Sequence, residues 1–235
     1  MIFRKLYLFL FLCICQSALA QHDSIHNLKV VEISDLQLRD YSDSQSVLKL
    51  PDSIINKNQS SLTSLLNYNS VIYFKENGLG MVSSPSFRGT TAQQTAVVWN
   101  GININSQLNG QTDFNTITTR DFNAIAVRAG GGSSIYGSSA IGGSIHLNNT
   151  INFEEHFSNS LRLNYGSFNT FGGNYKLDVS NGKFSAQVSI SRNSSDNDYE
   201  YVDSNDKNLN GQYYTTSINA VVGYKIDENN FLKLY

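Results

Sequence analysis

The sequence predicts a mixed α/β domain followed by the first strands of an antiparallel transmembrane β-barrel. Three observations point there. A secretory leader opens the chain, so the mature protein is exported. A helix-like segment and several short strands surround a glycine-rich stretch, Ile125 to Asn148. Beyond Asn152 the pattern changes to strict two-residue alternation over segments of about ten residues, the period of barrel strands.

The leader comes first. Arg4-Lys5 is a basic n-region, Leu6 to Cys15 an apolar h-region, and Ala18-Leu19-Ala20 a cleavage signal before Gln21, so residues 1–20 read as a signal peptide. The apolar run is shorter than the roughly 20 residues a spanning helix needs. A lipoprotein signal at Cys13 is the rival, but bulky Leu12 stands just before it. Both cysteines, Cys13 and Cys15, fall in the leader, which excludes a disulfide, thiol catalysis or a Cys-ligated metal in the mature chain. Without Arg4 and Lys5, 15 of the 17 basic residues remain against 19 acidic ones, a formal net charge of −4. That balance gives no sign of a nucleic-acid partner.

Residues 21–57 are polar, with one apolar cluster, Leu28 to Ser34, which reads as a short strand or an extended linker. Ser60 or Ser61 can cap a helix that ends near Tyr68-Asn69, with Leu62, Leu65 and Leu66 on one face. Val71 to Phe74 starts a strand, and Lys75 to Ser84 is a glycine-bearing loop. Ser86-Phe87-Arg88-Gly89 ends the next strand, and Thr95 to Trp99 forms another. Asn100-Gly101 suits a two-residue type I′ turn, where both positions need positive φ. A polar loop follows, Asn103 to Asn115, which offers neutral amides and hydroxyls and a single ionisable group, Asp113. Ile125 to Arg128 and Ser144 to Leu147 are strands around a turn with six glycines in fourteen residues, so backbone there packs closely or bends where a Cβ would clash. The turn has neither GxxxxGK[ST] nor GxGxxG entering a helix, which argues against a nucleotide site.

Val127-Arg128, Tyr136-Gly137 and Ala140-Ile141-Gly142-Gly143 stand in an order and spacing that resembles the end of the plug domain of TonB-dependent outer-membrane receptors. Ser86-Phe87-Arg88-Gly89 is similar to that family's strand end, Asn100-Gly101 stands where Asp-Gly is usual, and Asn69-Ser70-Val71 replaces a Pro-Gly-Val. The resemblance implies a plug over residues 58–152, with Arg88, Gly89, Asn100, Gly101, Arg128, Tyr136, Gly137, Gly142 and Gly143 as its motif positions. It implies that Arg88 and Arg128 pair with glutamates of the barrel wall. It also implies a TonB box at Lys29, Val30, Val31, Glu32, Ile33 and Ser34, which would add as a strand to a TonB-type energy-transducing protein. The loop would face the ligand through Asn103, Asn105, Ser106, Gln107, Asn109, Gln111, Thr112 and Asp113. Amides suit a large neutral ligand, so cobalamin is favoured over a ferric siderophore, whose anionic chelate calls for Arg or Lys clusters. A surface ligand-binding or adhesion role is the further alternative. The implied setting is the lipid of the outer membrane, with no cofactor and no metal. No enzyme is expected, since His22, His26, His146 and His156 lie in no catalytic or metal-ligand spacing.

Residues 153–235 alternate. Phe171, Gly173, Tyr175, Leu177 and Val179 face one way; so do Phe184, Ala186, Val188 and Ile190, and again Ile218, Ala220, Val222 and Tyr224. Ser185, Gln187, Ser189 and Ser191 take the other face of their strand. A soluble β-sandwich would show a similar alternation. Ser167 to Asn169 and Ser180 to Lys183 are short connections, and Asn193 to Tyr213 is a long one, as for periplasmic turns and extracellular loops. The segment from Leu161 holds four or five strands, and Phe231 to Tyr235 reads as mid-strand, so the chain is expected to be a fragment or a truncated product; the resemblance to the receptor family implies a full barrel of about 22 strands.

Overall fold

Ser61 sets the first helix of the core. Its extended backbone and its side chain, which accepts from the Ser64 N–H at 3.5 Å, open α2 (Leu62–Asn69). The i, i+3, i+4 leucines Leu62, Leu65 and Leu66 are fully buried. No glycine closes the helix; instead Asn69 Nδ2 donates to the Leu65 carbonyl at 2.8 Å and Ser70 Oγ to that of Leu66 at 2.6 Å. These two bonds satisfy carbonyls left open at the helix end, so the helix closes without the proline and glycine that the resemblance leads one to expect there. The structure, a computed structural model, describes residues 45–57, 61–76, 78–228 and 230–235. Lys29 to Ser34 and the leader lie outside the described residues.

Around this helix the chain builds β1 (Val47–Leu50), α1 (Asp52–Lys57), β2 (Ile72–Glu76), β3 (Ser83–Phe87), β4 (Thr95–Trp99), β5 (Ile102–Asn103), β6 (Ala124–Ala129), the one-turn helix α3 (Ser133–Tyr136) and β7 (Gly143–Asn148). β2 and β3 form an antiparallel hairpin. The main sheet runs β1-β6-β7-β4-β5, with β4 and β7 parallel and the other neighbours antiparallel. Its central strand β7 is buried along its whole length. Leu62, Leu66, Phe74, Phe87, Phe114, Ile145 and Leu147 share one apolar core. β1 and α1 lie in the stretch read as an N-terminal extension, yet β1 pairs with β6 through Val47–Arg128 to Leu50–Ile125. Short strands of four residues carry too weak a period to be recognised.

Asn100 and Gly101 have φ of 46° and 89°, the geometry expected of a type I′ turn joining β4 and β5. Arg88 and Gly89 form a second turn of the same sign, φ 52° and 83°, closed by the Thr90 N–H on the Phe87 carbonyl at 3.1 Å. Gly143 is required by packing: a Cβ there would lie 2.7 Å from the Arg128 carbonyl oxygen and 3.0 Å from the Phe87 ring. Gly143→Ala is expected to cost about 1–3 kcal/mol, because the obstacle is sheet backbone that cannot turn aside. The measurement is the thermal midpoint of the folded protein in outer-membrane extracts; an unchanged midpoint would show that the sheet yields.

The second half is a meander, β8 (His156–Gly166), β9 (Thr170–Ser180), β10 (Phe184–Ser195), β11 (Tyr213–Lys225) and β12 (Phe231–Leu234), all antiparallel. Its buried face is polar: Ser185, Gln187, Ser189 and Ser191 are at most 5% exposed, while Ile190, Ile218 and Tyr224 on the other face are 45%, 71% and 51% exposed. A β-sandwich requires the reverse, so this sheet is a barrel wall with an apolar outside.

Candidate functional site

The polar face of the wall is covered by the α/β domain, and the seam between them is the candidate site. The 3₁₀ turn Thr119–Asp121 presents Asp121 to the wall. Its carboxylate is 4% exposed and accepts from Ser189 Oγ at 2.9 Å and from Ser217 Oγ. Burial pushes the Asp121 carboxyl above the usual range, opposed by those hydroxyls and by the charge of Lys176.

Asn149, which follows β7, is the second node. Its Oδ1 accepts from Trp99 Nε1 at 3.1 Å and Asn100 Nδ2 at 3.2 Å, and its Nδ2 donates to the Asp121 carbonyl at 2.6 Å. Its backbone N–H donates to Asn100 Oδ1 at 2.8 Å, and its carbonyl accepts from Lys233 Nζ of β12 at 2.5 Å. One buried amide thus joins the β4–β5 turn, the Asp121 turn and the wall. Ile151 then packs on Gly223, and Phe153 on Phe231 with centroids 5.8 Å apart, carrying the linker onto the wall.

Two clefts lie along the seam. One, of about 400 Å³, opens at the end of the wall that carries the β8–β9 turn and the long β10–β11 connection. Leu79, Gly80, Asn115 and Tyr213 line it, with Lys57 and Arg120. The plug side of this cleft is moored: Asn197 Nδ2 donates to the Leu79 carbonyl at 3.4 Å, and Asn115 Nδ2 to that of Met81 at 2.8 Å. The other cleft, of about 300 Å³, is charged, with Asp52, Arg120, Arg162, Lys176 and Asp178 among its lining.

The motif positions divide. Arg128 is buried, donates through Nη1 to the Gly131 carbonyl at 2.9 Å and lies over the Tyr136 ring at 5.9 Å. Tyr136 meets the His146 ring edge-on at 4.7 Å, and His146 Nε2 is 2.8 Å from Ser144 Oγ. Gly137, with φ 92°, ends α3, and Gly142 passes so close to the Thr90 side chain that a Cβ would fall on it. Arg88 is exposed in its turn and forms no salt bridge among the described residues.

The polar loop from Asn103 is tied down by its own side chains. Asn105 Oδ1 accepts from the Val97 N–H at 2.8 Å, and its Nδ2 donates to the Thr95 and Gly110 carbonyls at 3.0 and 2.9 Å. Asn103 Nδ2 donates to the Tyr136 carbonyl at 2.9 Å, and Asp113 Oδ1 accepts from the N–H groups of Ser83 and Asn115, each at 3.0 Å. Thr112 Oγ1 donates to the Ile104 carbonyl at 3.5 Å, and the Gln111 carbonyl accepts from the Ser106 N–H at 3.1 Å. The outward tip is Ser106, Gln107, Leu108 and Asn109, with Leu108 96% exposed. Asp121, Asn149, Ser189 and Ser217 were not singled out as site residues. The available signal is an acid, Asp121, set between Arg120 and Phe122, and serines alternating along a strand.

Strands apolar on the outside and polar within, with a separate domain on the polar face, define an outer-membrane-type barrel wall and its plug. The sequence profile of the TonB-dependent receptor plug domain matches residues 37–144. The chain is 36% identical over 92 residues to the vitamin B12 transporter BtuB of Vibrio vulnificus strain YJ016, a match covering 39% of this chain and 15% of that protein. Among solved structures it is similar to the pyoverdine outer membrane receptor FpvA of Pseudomonas aeruginosa PAO1, with TM-score 0.65, 11% identity, and 80% of this chain against 26% of that one. It is also similar to the siderophore receptor PiuA of Acinetobacter baumannii, with TM-score 0.59, 16% identity, and 78% against 24%. The chain therefore spans 15% of the length of that curated relative and about a quarter of these solved structures. It carries a TonB-dependent receptor plug domain followed by barrel strands, and similarity to the vitamin B12 transporter group is consistent with that. This is a family of receptors and transporters, not of enzymes.

Proposed function

We propose that this chain belongs to a TonB-dependent importer of the outer membrane, which takes up a large scarce nutrient, cobalamin in the first instance. The observation that carries the reading is the plug seated on the polar face of the wall. A solute crossing there passes only if the plug shifts or remodels, and such work needs an energy source outside the chain. Lys29 to Ser34 would supply the strand that a TonB-type partner grips, and residues 1–20 the export signal. The end with the long β10–β11 connection would face outwards, which puts the larger cleft on the ligand side.

Cobalamin is supported by the resemblance to the vitamin B12 transporter and by the chemistry of the loop tip. Asp113 is occupied by two backbone N–H groups, so Ser106, Gln107 and Asn109 present only neutral donors and acceptors. A ferric siderophore is the second reading, favoured by Lys57 and Arg120 in the cleft, which would attract an anionic chelate.

The test is uptake of labelled cobalamin, with a ferric siderophore as control, in cells carrying the gene intact or with Lys29 to Ser34 deleted. Loss of cobalamin uptake alone on deletion is the expected result. Loss of siderophore uptake alone would move the protein to iron supply and overturn the neutral-ligand argument.

A further inference from the structure

We propose that Asp121 is a positioning residue that fastens the plug to the barrel wall through the hydroxyls of Ser189 and Ser217, on two adjacent strands whose inward face is exposed when the plug moves. The inference rests on the importer reading for its purpose, and on geometry for its existence.

The carboxylate is the plug's contribution, and the wall answers it with neutral groups. Ser189 of β10 and Ser217 of β11 donate to separate oxygens, so one side chain spans two adjacent strands, which pair at Ser189–Asn219 and Ser191–Ser217. The same face carries Ser185, Gln187 and Ser191 on β10 and Asn219 on β11, none of them ionisable. On the adjacent strand β9, Lys176 lies opposite Ser189 and Asp178 opposite Gln187, whose Nε2 donates to the Asp178 carboxylate at 2.9 Å, so charge flanks the hydroxyl pair on that side. The Asp121 backbone is held as well, its carbonyl accepting from Asn149.

This polarity matters for a plug that must both hold and leave. Parting a buried ion pair strands a charge on each side, at a cost larger than the pair was worth. Here the groups that hold the carboxylate directly are hydroxyls, which are readily hydrated once the plug departs. The fastening is firm because hydrogen bonds to an ionised group are stronger than neutral ones.

The test uses Ser185→Cys as a reporter, since Ser185 lies on the same inward face of β10 as Ser189 and is 3% exposed. Labelling of this thiol by a membrane-impermeant maleimide is followed in intact cells, against the same protein without the added cysteine. Asp121→Ala is expected to speed labelling about tenfold. Asp121→Asn is expected to stay within about twofold of the parent, because the amide accepts from one serine and donates to the other. Ser217→Val, which removes one wall donor, should fall between them and serves as the second variant if Asp121→Ala is poorly folded.

Equal labelling of the parent and Asp121→Ala overturns the proposal, as does fast labelling of Asp121→Asn. Labelling needs neither ligand nor energy, so a wrong importer reading leaves it untouched. Uptake of labelled cobalamin by the same cells reads that separately.

Discussion

Asn149→Asp is expected to lower the stability of the seated plug by about 3–5 kcal/mol, although it changes one NH₂ into one oxygen. The site is fully buried, and the lost group is the donor to the Asp121 carbonyl. An acceptor would then face an acceptor, and a second carboxylate would lie beside Asp121 without room for water. Trp99 Nε1 and Asn100 Nδ2 still find an oxygen, so the effect isolates the donor side and the new charge. The measurement is the temperature at which the heat-modifiable folded band disappears, together with the amount of receptor in the outer membrane. Asn149→Ala, which removes the hub without adding charge, should be milder than Asn149→Asp. The reverse order would mean that the amide contributes packing and little else.

Phe114→Ala should cost about 3–5 kcal/mol, the usual range for emptying a fully enclosed aromatic site. Phe114 is 0% exposed and meets the edge of Phe74 with centroids 5.2 Å apart. It also anchors the 3₁₀ turn between Asp113 and Asn115, whose side chains hold the Ser83 N–H and the Met81 carbonyl. Loss of the ring therefore loosens the plug side of the larger cleft as well as the core. Phe114→Leu refills most of the volume and, on the proposed importer reading, should keep retention of labelled cobalamin by outer membranes close to the parent. If Phe114→Leu loses binding as completely as Phe114→Ala, the ring itself is needed for the cleft.

Local features were legible where a residue type answers a backbone demand. Ser61 with the three leucines of α2 and Asn100-Gly101 with its positive φ pair are read directly from their neighbours in the chain. The second left-handed turn, Arg88-Gly89, was missed because arginine seldom takes positive φ and gives no signal of its own. The turn helix α3 was likewise hidden, since Ser133 to Tyr136 is a single turn after three glycines. The ties of the loop from Asn103 were not legible either. Asparagine advertises hydrogen bonding but not its partner, and the partners of Asn103 and Asn105 turned out to be the protein's own backbone.

Alternation alone determined the strands of the wall and, through the glycine-bearing motif, the kind of domain that precedes them. It could not determine which face is buried, because a sandwich and a barrel write the same period. Only the tertiary structure decided that, by placing the plug on the serine face of β10 and leaving Ile190 and Ile218 outside. It also decided the seam, since Asp121, Ser189 and Ser217 are 68 and 96 residues apart along the chain. A hydrogen bond depends on two groups meeting at about 3 Å, and over such separations that meeting is set by how strands register and domains seat.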